Sequence, residues 1–351
     1  MAKFRGFIGT YTKGDSKGIY SFVLDSESHE VSDIKLAAEL RDPTYLTISK
    51  DGQFLYSVMK EADAGGISAF SIDAKSGGLT FKSKETTVDG GPCHINVDTA
   101  QKQALSANYH SGVITAFSLH EDGSISGVTS TAEHHGSGPN KDRQEKAHAH
   151  FAGFTPNEKF AVAVDLGTDE VILYRLEQGK LIHHFTFKAT PGSGPRHIAF
   201  HPTEPYAYIM TELSNEVIVC QFNEELGELT ELQIISTLPD GYEDLSQGSA
   251  IHITKDGKHI YVGNRGHDSI ASFQINQISG ELALVEIINT EGSWPRDFHL
   301  DPSERVMLAS NQETSNLTVY SRDSDSGKLT LQKSSIDVPY PVCVAFIQEP
   351  I

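Results

Sequence analysis

Short apolar runs alternate with polar turns along the whole chain, and the same order of runs recurs. Each repeat opens with a small residue or proline and a short strand-like segment such as HIAF, followed by a turn carrying Asp-Gly, Thr-Pro, His-Pro or Asp-Pro. The next run, such as FAVAV or YAYIM, is apolar at successive positions, which is typical of a strand buried on both faces. A third strand leads into a hairpin that usually carries glycine near its tip. Because no segment sustains a 3.6-residue apolar period, the pattern predicts an all-β protein.

The repeats are evenly spaced. Their opening residues are, in order, Pro43, Pro92, Ala149, Pro195, Gly248, Pro295 and Pro341. The steps between them are 49, 57, 46, 53, 47 and 46 residues, which is the range typical of propeller blades. The last opening residue has no following strands, whereas the N-terminal segment KFRGFIGTY has strands but no opening residue. Joining the two ends predicts a seven-bladed β-propeller of four-stranded antiparallel blades, with the last blade closed by N- and C-terminal strands. We expect a single β-propeller domain over residues 1–351.

Two rings of equivalent positions carry the candidate chemistry. The start of a first strand and the end of an antiparallel second strand lie at the same end of a blade, so both rings should face one space. The first ring is Thr44, Cys93, His150, Arg196, Ser249, Arg296 and Val342. The second ring is Thr10, Met59, Asn108, Asp165, Glu212, Asn264 and Asn311, and Arg265 follows it in one repeat. The sequence therefore predicts cations and imidazoles beside carboxylates and amides at one end of the propeller axis.

One repeat is stretched by the polar segment EHHGSGPNKDRQEKAHAH, from Glu133 to His150. It is too long for a hairpin, and either a functional loop or a flexible insertion would give this pattern. The segment delivers His148 and His150 to the first ring. These two could form a metal pair, since residues i and i+2 of a strand point the same way. No third ligand has a clear spacing, so we expect no bound metal.

Each candidate also has a purely structural interpretation. Arg196 and Arg296, from two Pro-Arg pairs, could tie blades together, and Asn108 and Asn311 could do no more than cap strand ends. The single tryptophan, Trp294, could line a pocket or pack between two blades. Two arginines in one ring that faces carboxylates favour a functional site over a structural one.

Composition narrows the range of partners. The chain has 47 acidic and 28 basic residues and a net charge of −19, so phosphate backbones would repel it and nucleic acid is not expected as a partner. A small anionic substrate remains compatible if a local cationic cluster binds it. No apolar run approaches the roughly 20 residues needed to span a bilayer, so no membrane association is expected. Three separated cysteines without CxxC spacing indicate reduced thiols and a cytoplasmic location. We expect a monomer or a weak homo-oligomer.

Several motifs resemble those of a known family. They are Pro-Arg-His-Ile-x-Phe-His-Pro at 195–202, Ala-His-Ala-His at 147–150, Tyr-Val-Gly-Asn-Arg-Gly at 261–266, and the recurring Gly-x-Leu hairpins. Together they resemble the lactonase family of seven-bladed β-propellers, which includes the propeller-type 6-phosphogluconolactonases and the carboxymuconate-lactonising enzyme. The similarity extends from GTYT at 9–12 to PVCVAF at 341–346.

The resemblance implies hydrolysis of an anionic sugar lactone, namely 6-phosphogluconolactone to 6-phosphogluconate in the pentose phosphate pathway, without a cofactor. Water would attack the carbonyl carbon while His148 or Glu212 accepts its proton. Arg196 would stabilise the oxyanion, and Arg265 or Arg296 would hold the phosphate. The catalytic set implied by the resemblance is His148, Arg196, Glu212 and Arg265. The expected substrate-binding set is His150, His197, Asn264, Arg296, Asn108, Asp165 and Asn311.

Two other functions remain open at this point. A muconate-type lactonising enzyme would use the arginines to bind dicarboxylates, and a non-catalytic propeller scaffold would not need the Pro-Arg ring at all. The chain has no Gly-x-Ser-x-Gly elbow, which argues against a serine esterase.

Overall fold

The computed structural model describes residues 2–87 and 90–351, which form seven four-stranded antiparallel sheets. Numbered from the inner strand outwards, blade 1 is β4 (Leu46–Ile48), β5 (Phe54–Lys60), β6 (Gly65–Asp73) and β7 (Gly78–Thr87). Blade 2 is β8 (His94–Val97), β9 (Gln103–Asn108), β10 (Val113–Leu119) and β11 (Ile125–Glu133). Blade 3 is β12 (Ala149–Phe154), β13 (Phe160–Asp165), β14 (Glu170–Glu177) and β15 (Lys180–Lys188).

The remaining four blades follow the same plan. Blade 4 is β16 (Pro195–Phe200), β17 (Tyr206–Thr211), β18 (Glu216–Asn223) and β19 (Glu228–Ser236). Blade 5 is β20 (Gln247–Ile253), β21 (His259–Arg265), β22 (Ser269–Ile275) and β23 (Leu282–Asn289). Blade 6 is β24 (Pro295–Leu300), β25 (Val306–Asn311), β26 (Asn316–Arg322) and β27 (Leu329–Asp337). Blade 7 is β28 (Pro341–Phe346), β1 (Lys3–Thr10), β2 (Gly18–Asp25) and β3 (Glu30–Glu39).

Blade 7 combines the two ends of the chain. Strand β1 pairs antiparallel with β28, with Gly6 opposite Phe346 and Ile8 opposite Val344. The inner strands of neighbouring blades contact one another around the ring, including β28 against β4. Both the all-β seven-bladed propeller and its closure by the terminal strands are therefore confirmed.

The hydrophobic core lies between blades. The described residues form seven apolar clusters, each shared by two neighbouring blades. On β13, Val162 and Val164 pack towards blade 4, whereas Ala161 and Ala163 pack towards blade 2. The second strands are apolar at successive positions because both of their faces are buried.

Glycine at the hairpin tips allows close contact between blades. Tyr261 of blade 5 donates its hydroxyl to the carbonyl of Gly327 in the next blade at 2.8 Å. Gly327 has a φ of 72°, and a Cβ there would lie 2.3 Å from the ring of His259. Any other residue would thus be strained and would clash, which explains the recurring Gly-x-Leu hairpin. Tyr56 and Tyr208 make equivalent bonds to Gly123 and Gly280.

The strand register defines the functional end of the propeller. Ala149 at the start of β12 lies opposite Asp165 at the end of β13, and Pro295 lies opposite Asn311 in the same way. The starts of inner strands and the ends of second strands therefore meet at one end of the axis, as expected for antiparallel pairs. Within residues 2–87 and 90–351, no helix is long and apolar enough to cross a membrane.

Candidate active site

A cavity of about 260 Å³ opens at this end of the axis. Its charged lining consists of Arg143, Glu212, Arg265 and Arg296. Its other lining residues are Tyr11, Cys93, Tyr109, His110, His150 and Gln247. Three guanidinium groups and one carboxylate thus face a space large enough for a small organic anion.

Glu212 lies at the centre of the arginine cluster and is 2% exposed. Its Oε2 accepts hydrogen bonds from Arg196 Nε at 3.0 Å and Arg265 Nη2 at 2.7 Å, and its Oε1 accepts one from Arg143 Nη2. Burial by itself raises the pKa of Glu212, but the surrounding cations, Arg265 foremost, outweigh it and hold the pKa well below its usual range. Glu212 is therefore ionised, and both of its oxygens are engaged.

Arg196 lies beneath the cavity and does not line it. Besides its contact with Glu212, its Nη1 donates to the carbonyl of Ser249 at 2.5 Å and lies 3.3 Å from His197 Nε2. Burial, together with repulsion from neighbouring arginines, lowers the pKa of Arg196 to about 9. Arg196 thus supports Glu212 from below and connects blade 4 to blade 5.

Arg265 forms one wall of the cavity. Its Nη2 donates to the carbonyl of Gly248 at 2.7 Å as well as to Glu212, while its Nε is buried without a hydrogen-bond acceptor. The guanidinium carbon lies 5.6 Å from the ring centroid of Trp294, a cation–π contact. Trp294 therefore supports the arginine of the neighbouring blade.

Arg296 is arranged differently from the other arginines. Within the part of the chain that the structure describes, it has no carboxylate at ion-pair distance and no hydrogen-bond acceptor. Its guanidinium carbon lies 5.5 Å from the ring centroid of Tyr11. The side chain therefore combines a stacking contact with unused donors on the cavity wall.

The two candidate histidines of the stretched segment have different surroundings. His150 lines the cavity, and its Nδ1 is buried without a partner. His148 does not line it; its Nδ1 lies 2.8 Å from the carbonyl oxygen of Tyr109 and its Nε2 lies 3.1 Å from Glu145 Oε1. Burial first, and Arg196 next, hold the pKa of His150 well below 6.5, so this imidazole is neutral.

His148 and His150 do not form a pair on one strand face. His148 precedes β12, and the pairing register shifts between Ala149 and Phe151, so the alternation rule fails at this point. The ring of His148 instead stacks on Tyr109, with centroids 4.3 Å apart. No group of three or more His, Cys, Asp or Glu side chains suited to a metal occurs among residues 2–87 and 90–351.

His197 faces the opposite end of the propeller axis. It lines a separate cavity of about 350 Å³ together with His94 and His252. Its ring centroid lies 5.3 Å from those of both His94 and His150. His197 therefore packs behind the arginine-lined cavity and does not line it.

Four other predicted binding residues lie outside the cavity lining: Asn108, Asp165, Asn264 and Asn311. The three asparagines each donate through Nδ2 to a backbone carbonyl of the connection that enters their own blade, at Gly90, Thr237 and Thr290 respectively. Asp165 Oδ1 accepts three backbone N–H groups, and its Oδ2 lies 2.7 Å from His134 Nδ1. These side chains tie the blade connections together.

The register explains why Glu212 behaves differently from this ring. Thr211 lies opposite Pro195, just as Asn311 lies opposite Pro295. Thr211 is therefore the member of the second-strand ring in blade 4, and Glu212 lies one residue beyond that ring. The equivalents of Glu212, each one residue past the second-strand ring, are Tyr11, Lys60, Tyr109, Leu166, Arg265 and Gln312. This next ring supplies much of the cavity lining, and the alternation of strand residues towards and away from the axis could have revealed it.

Arg143 is a further cavity residue that sequence reasoning missed. It belongs to the stretched segment and occupies no repeated position, so neither ring of equivalent residues predicts it. Its neighbour Gln144 is buried and donates through Nε2 to Leu166 O and Asp169 Oδ1, both at 2.8 Å. This anchor holds the segment against blade 3 and brings Arg143 over Glu212.

Comparison with known proteins agrees with the fold. Residues 5–346 match the family described as "Lactonase, 7-bladed beta-propeller". The chain is 52% identical over 349 residues to a 6-phosphogluconolactonase of Bacillus subtilis, covering 99% of this chain and 100% of that protein.

Solved structures give the same result. A protein from Lactobacillus plantarum superimposes with a TM-score of 0.94 at 37% identity, covering 98% of this chain and 99% of that one. The periplasmic gluconolactonase of Pseudomonas aeruginosa superimposes with a TM-score of 0.93 at 29% identity, covering 99% and 100%. The chain described here therefore belongs to the seven-bladed β-propeller lactonase family and is a lactone hydrolase.

Proposed function

We propose that the arginine-lined cavity hydrolyses 6-phosphogluconolactone to 6-phosphogluconate, as a step of the pentose phosphate pathway. The observation that carries this proposal is the local charge: three arginines contact the carboxylate of Glu212 and a fourth, Arg296, lines the same cavity, in a chain whose net charge is −19. A cluster of this kind favours a small anion over a neutral sugar. The Bacillus subtilis relative that carries this activity in its name supports the choice of substrate.

In the proposed mechanism, His150 is the general base. Its imidazole is neutral, lines the cavity and has an Nδ1 without a hydrogen-bond partner. Both nitrogens of His148 lie within hydrogen-bond distance of other groups, and the carboxylate of Glu212 accepts from three arginines. Neither of those two groups is therefore as free to accept a proton as His150 is.

The chemistry is acyl transfer to water. A water oxygen forms a bond to the lactone carbonyl carbon while His150 takes one of its protons, and the carbonyl oxygen becomes an oxyanion. Arg265, which forms one wall of the cavity, stabilises that oxyanion. Collapse of the intermediate breaks the ring C–O bond, and the departing alkoxide takes the proton back from His150. The product is the open-chain acid, and the enzyme returns to its starting state.

Arg196 and Glu212 then act as positioning residues. Glu212 fixes the guanidinium groups of Arg143 and Arg265 around the cavity, and Arg196 fixes Glu212 from below. This arrangement differs from the expectation that Arg196 itself binds the oxyanion. The reason is that Arg196 is buried beneath the cavity, with its donors directed at Glu212 and the Ser249 carbonyl.

A cytoplasmic location is part of the same proposal. All three cysteines are free, and two of them, Cys220 and Cys343, are buried. Free thiols suit a reducing compartment such as the cytoplasm.

The test is proton release from freshly prepared 6-phosphogluconolactone, corrected for spontaneous hydrolysis. Wild type, His150→Gln and the matched control His183→Gln, an exposed histidine of β15, are compared. We expect rapid turnover in wild type and the control, and a loss of about 100-fold or more in His150→Gln. Full turnover by His150→Gln would show that His150 is not the general base. Absence of turnover in wild type, with activity on a carboxymuconate instead, would favour the lactonising alternative.

A further inference from the structure

A small side cavity of about 90 Å³ adjoins the arginine-lined cavity. The two share Tyr11, Cys93, Tyr109, His110 and Arg296. The side cavity adds Asp42, Thr44 and Lys60 to this lining, together with Gly91 and Pro92. The substrate space therefore has two parts, and Arg296 lies between them.

The four arginines divide into two groups by their partners. Arg143, Arg196 and Arg265 all contact Glu212, so their charges are partly neutralised and their donors partly used. Among the described residues, Arg296 contacts no carboxylate and donates no hydrogen bond. A guanidinium carries five N–H donors in a planar fork that matches two oxygens of a phosphate. Arg296 is therefore the arginine with the greatest capacity for an additional anion.

Lys60 adds a second cation on the same side. It ends β5 and, among residues 2–87 and 90–351, forms no ion pair. The acidic member of the side cavity, Asp42, accepts hydrogen bonds from the backbone N–H and the hydroxyl of Thr12, both at 3.0 Å. Its carboxylate is thus engaged with a neighbouring loop, and the balance of uncommitted charge in the side cavity is positive.

We infer that Arg296 and Lys60 form the phosphate subsite, and that the lactone ring extends from there towards Arg265 and His150. A phosphate monoester carries about −1.5 to −2 charges at pH 7, which two cations can neutralise without disturbing the Glu212 cluster. This inference rests on the proposed function, because it assigns one end of the same substrate. According to this inference, Arg296 and Lys60 give the enzyme its preference for phosphorylated over unphosphorylated lactones.

The experiment measures kcat/KM for 6-phosphogluconolactone and for unphosphorylated glucono-δ-lactone in wild type, Arg296→Gln and Lys60→Gln. We expect the ratio of the two values to fall by about ten-fold or more in Arg296→Gln, and by a smaller factor in Lys60→Gln. Lys141→Gln, an exposed lysine outside both cavities, should leave the ratio unchanged. Equal losses on both lactones in Arg296→Gln would overturn the phosphate subsite while leaving the proposed function intact.

A second measurement does not depend on turnover. Inorganic phosphate is titrated by calorimetry into wild type and Arg296→Gln, and we expect binding in wild type that is weakened by about ten-fold in the variant. Unchanged phosphate binding in Arg296→Gln would count against the subsite even if no lactone is hydrolysed. Failure of wild type on both lactones would refute the proposed function, and the phosphate titration alone would then decide the subsite.

Discussion

Arg143 Nη2 donates to Oε1 of Glu212, which lies 69 residues further along the chain. The arginine comes from the connection between blades 2 and 3, whereas the glutamate follows β17 of blade 4. The stretched segment thus extends past blade 3 and covers one side of the cavity. Its polar composition is explained by this position, since it must both reach the cavity and remain solvated on its outer face.

The first prediction concerns Arg143. Arg143→Ala should lower kcat/KM by roughly 10- to 100-fold, because it removes a cation from the cavity wall and frees one oxygen of Glu212. Lys141→Ala removes the same charge from an exposed position of the same segment and should have little effect. Steady-state kinetics on both variants test this, and equal behaviour of the two would mean that the segment contributes only its overall charge.

The second prediction concerns the stability of the arginine cluster. Glu212→Gln leaves buried guanidinium groups without their counter-charge and should lower the free energy of unfolding by about 3 kcal/mol or more. Sulfate ions should stabilise this variant more than wild type, since an anion can replace part of the lost charge. Urea titrations with and without sulfate measure both effects. Glu231→Gln, on the exposed outer strand of the same blade, is the control.

The third prediction concerns the pH dependence of activity. The base must be neutral to accept a proton, and the pKa of His150 is held well below 6.5. As pH falls through 6.5, kcat/KM should therefore stay level, and it should decline only at lower pH. Glucono-δ-lactone is the substrate of choice for this profile, because it has no phosphate that titrates near pH 6. An acidic limb centred at or above 6.5 would contradict the assignment of His150.

The fourth prediction concerns stability in acid. Burial lowers the pKa of His94 to about 3 and that of His299 to about 4, whereas an unfolded histidine titrates near 6.5. The unfolded chain then binds more protons below pH 6.5, so stability is complete above that value and is lost progressively as pH falls. At about pH 5.5, each such histidine should lower the free energy of unfolding by about 1.4 kcal/mol.

His94→Phe tests this pH dependence directly. The ring of His94 lies 4.2 Å from those of Tyr45 and Phe151, so phenylalanine can keep the packing while removing the titrating group. The change in unfolding free energy between about pH 7.5 and pH 5.5 should be smaller in this variant than in wild type. An unchanged slope would mean that His94 does not contribute to it.

The architecture could be predicted from the sequence because it is repeated seven times. The spacing from Pro43 to Pro341 defines the blades, and the unmatched strands at the two ends require closure between β1 and β28. Buried second strands such as β13 are recognisable because they are apolar on both faces. Each of these signals is local and recurs, so errors in a single repeat do not change the result.

The site could be predicted only in part, because it depends on features that are not repeated. The repeat spacing places Glu212 level with Asn311, whereas in the structure Thr211 is the equivalent of Asn311. This difference of one position puts a cavity residue in the same ring as side chains that hold the connections between blades. The shift in register next to Ala149 separated His148 from His150, and no composition signal marks such a shift. Arg143 depends on the path of a long segment, which is determined by the hydrogen bonds of Gln144.

Pairing of β28 with β1 has a consequence for the synthesis of the chain. Strand β1 emerges from the ribosome before its inner partner, β28 (Pro341–Phe346), which is translated after the other 27 strands that the structure describes. Until then β1 presents an unpaired edge, and the faces of blades 1 and 6 that will contact β28 remain uncovered. Since the cavity takes Tyr11 from blade 7 and Arg296 from blade 6, its two sides come together only at this final step. We therefore expect the nascent enzyme to be inactive until β28 closes the ring.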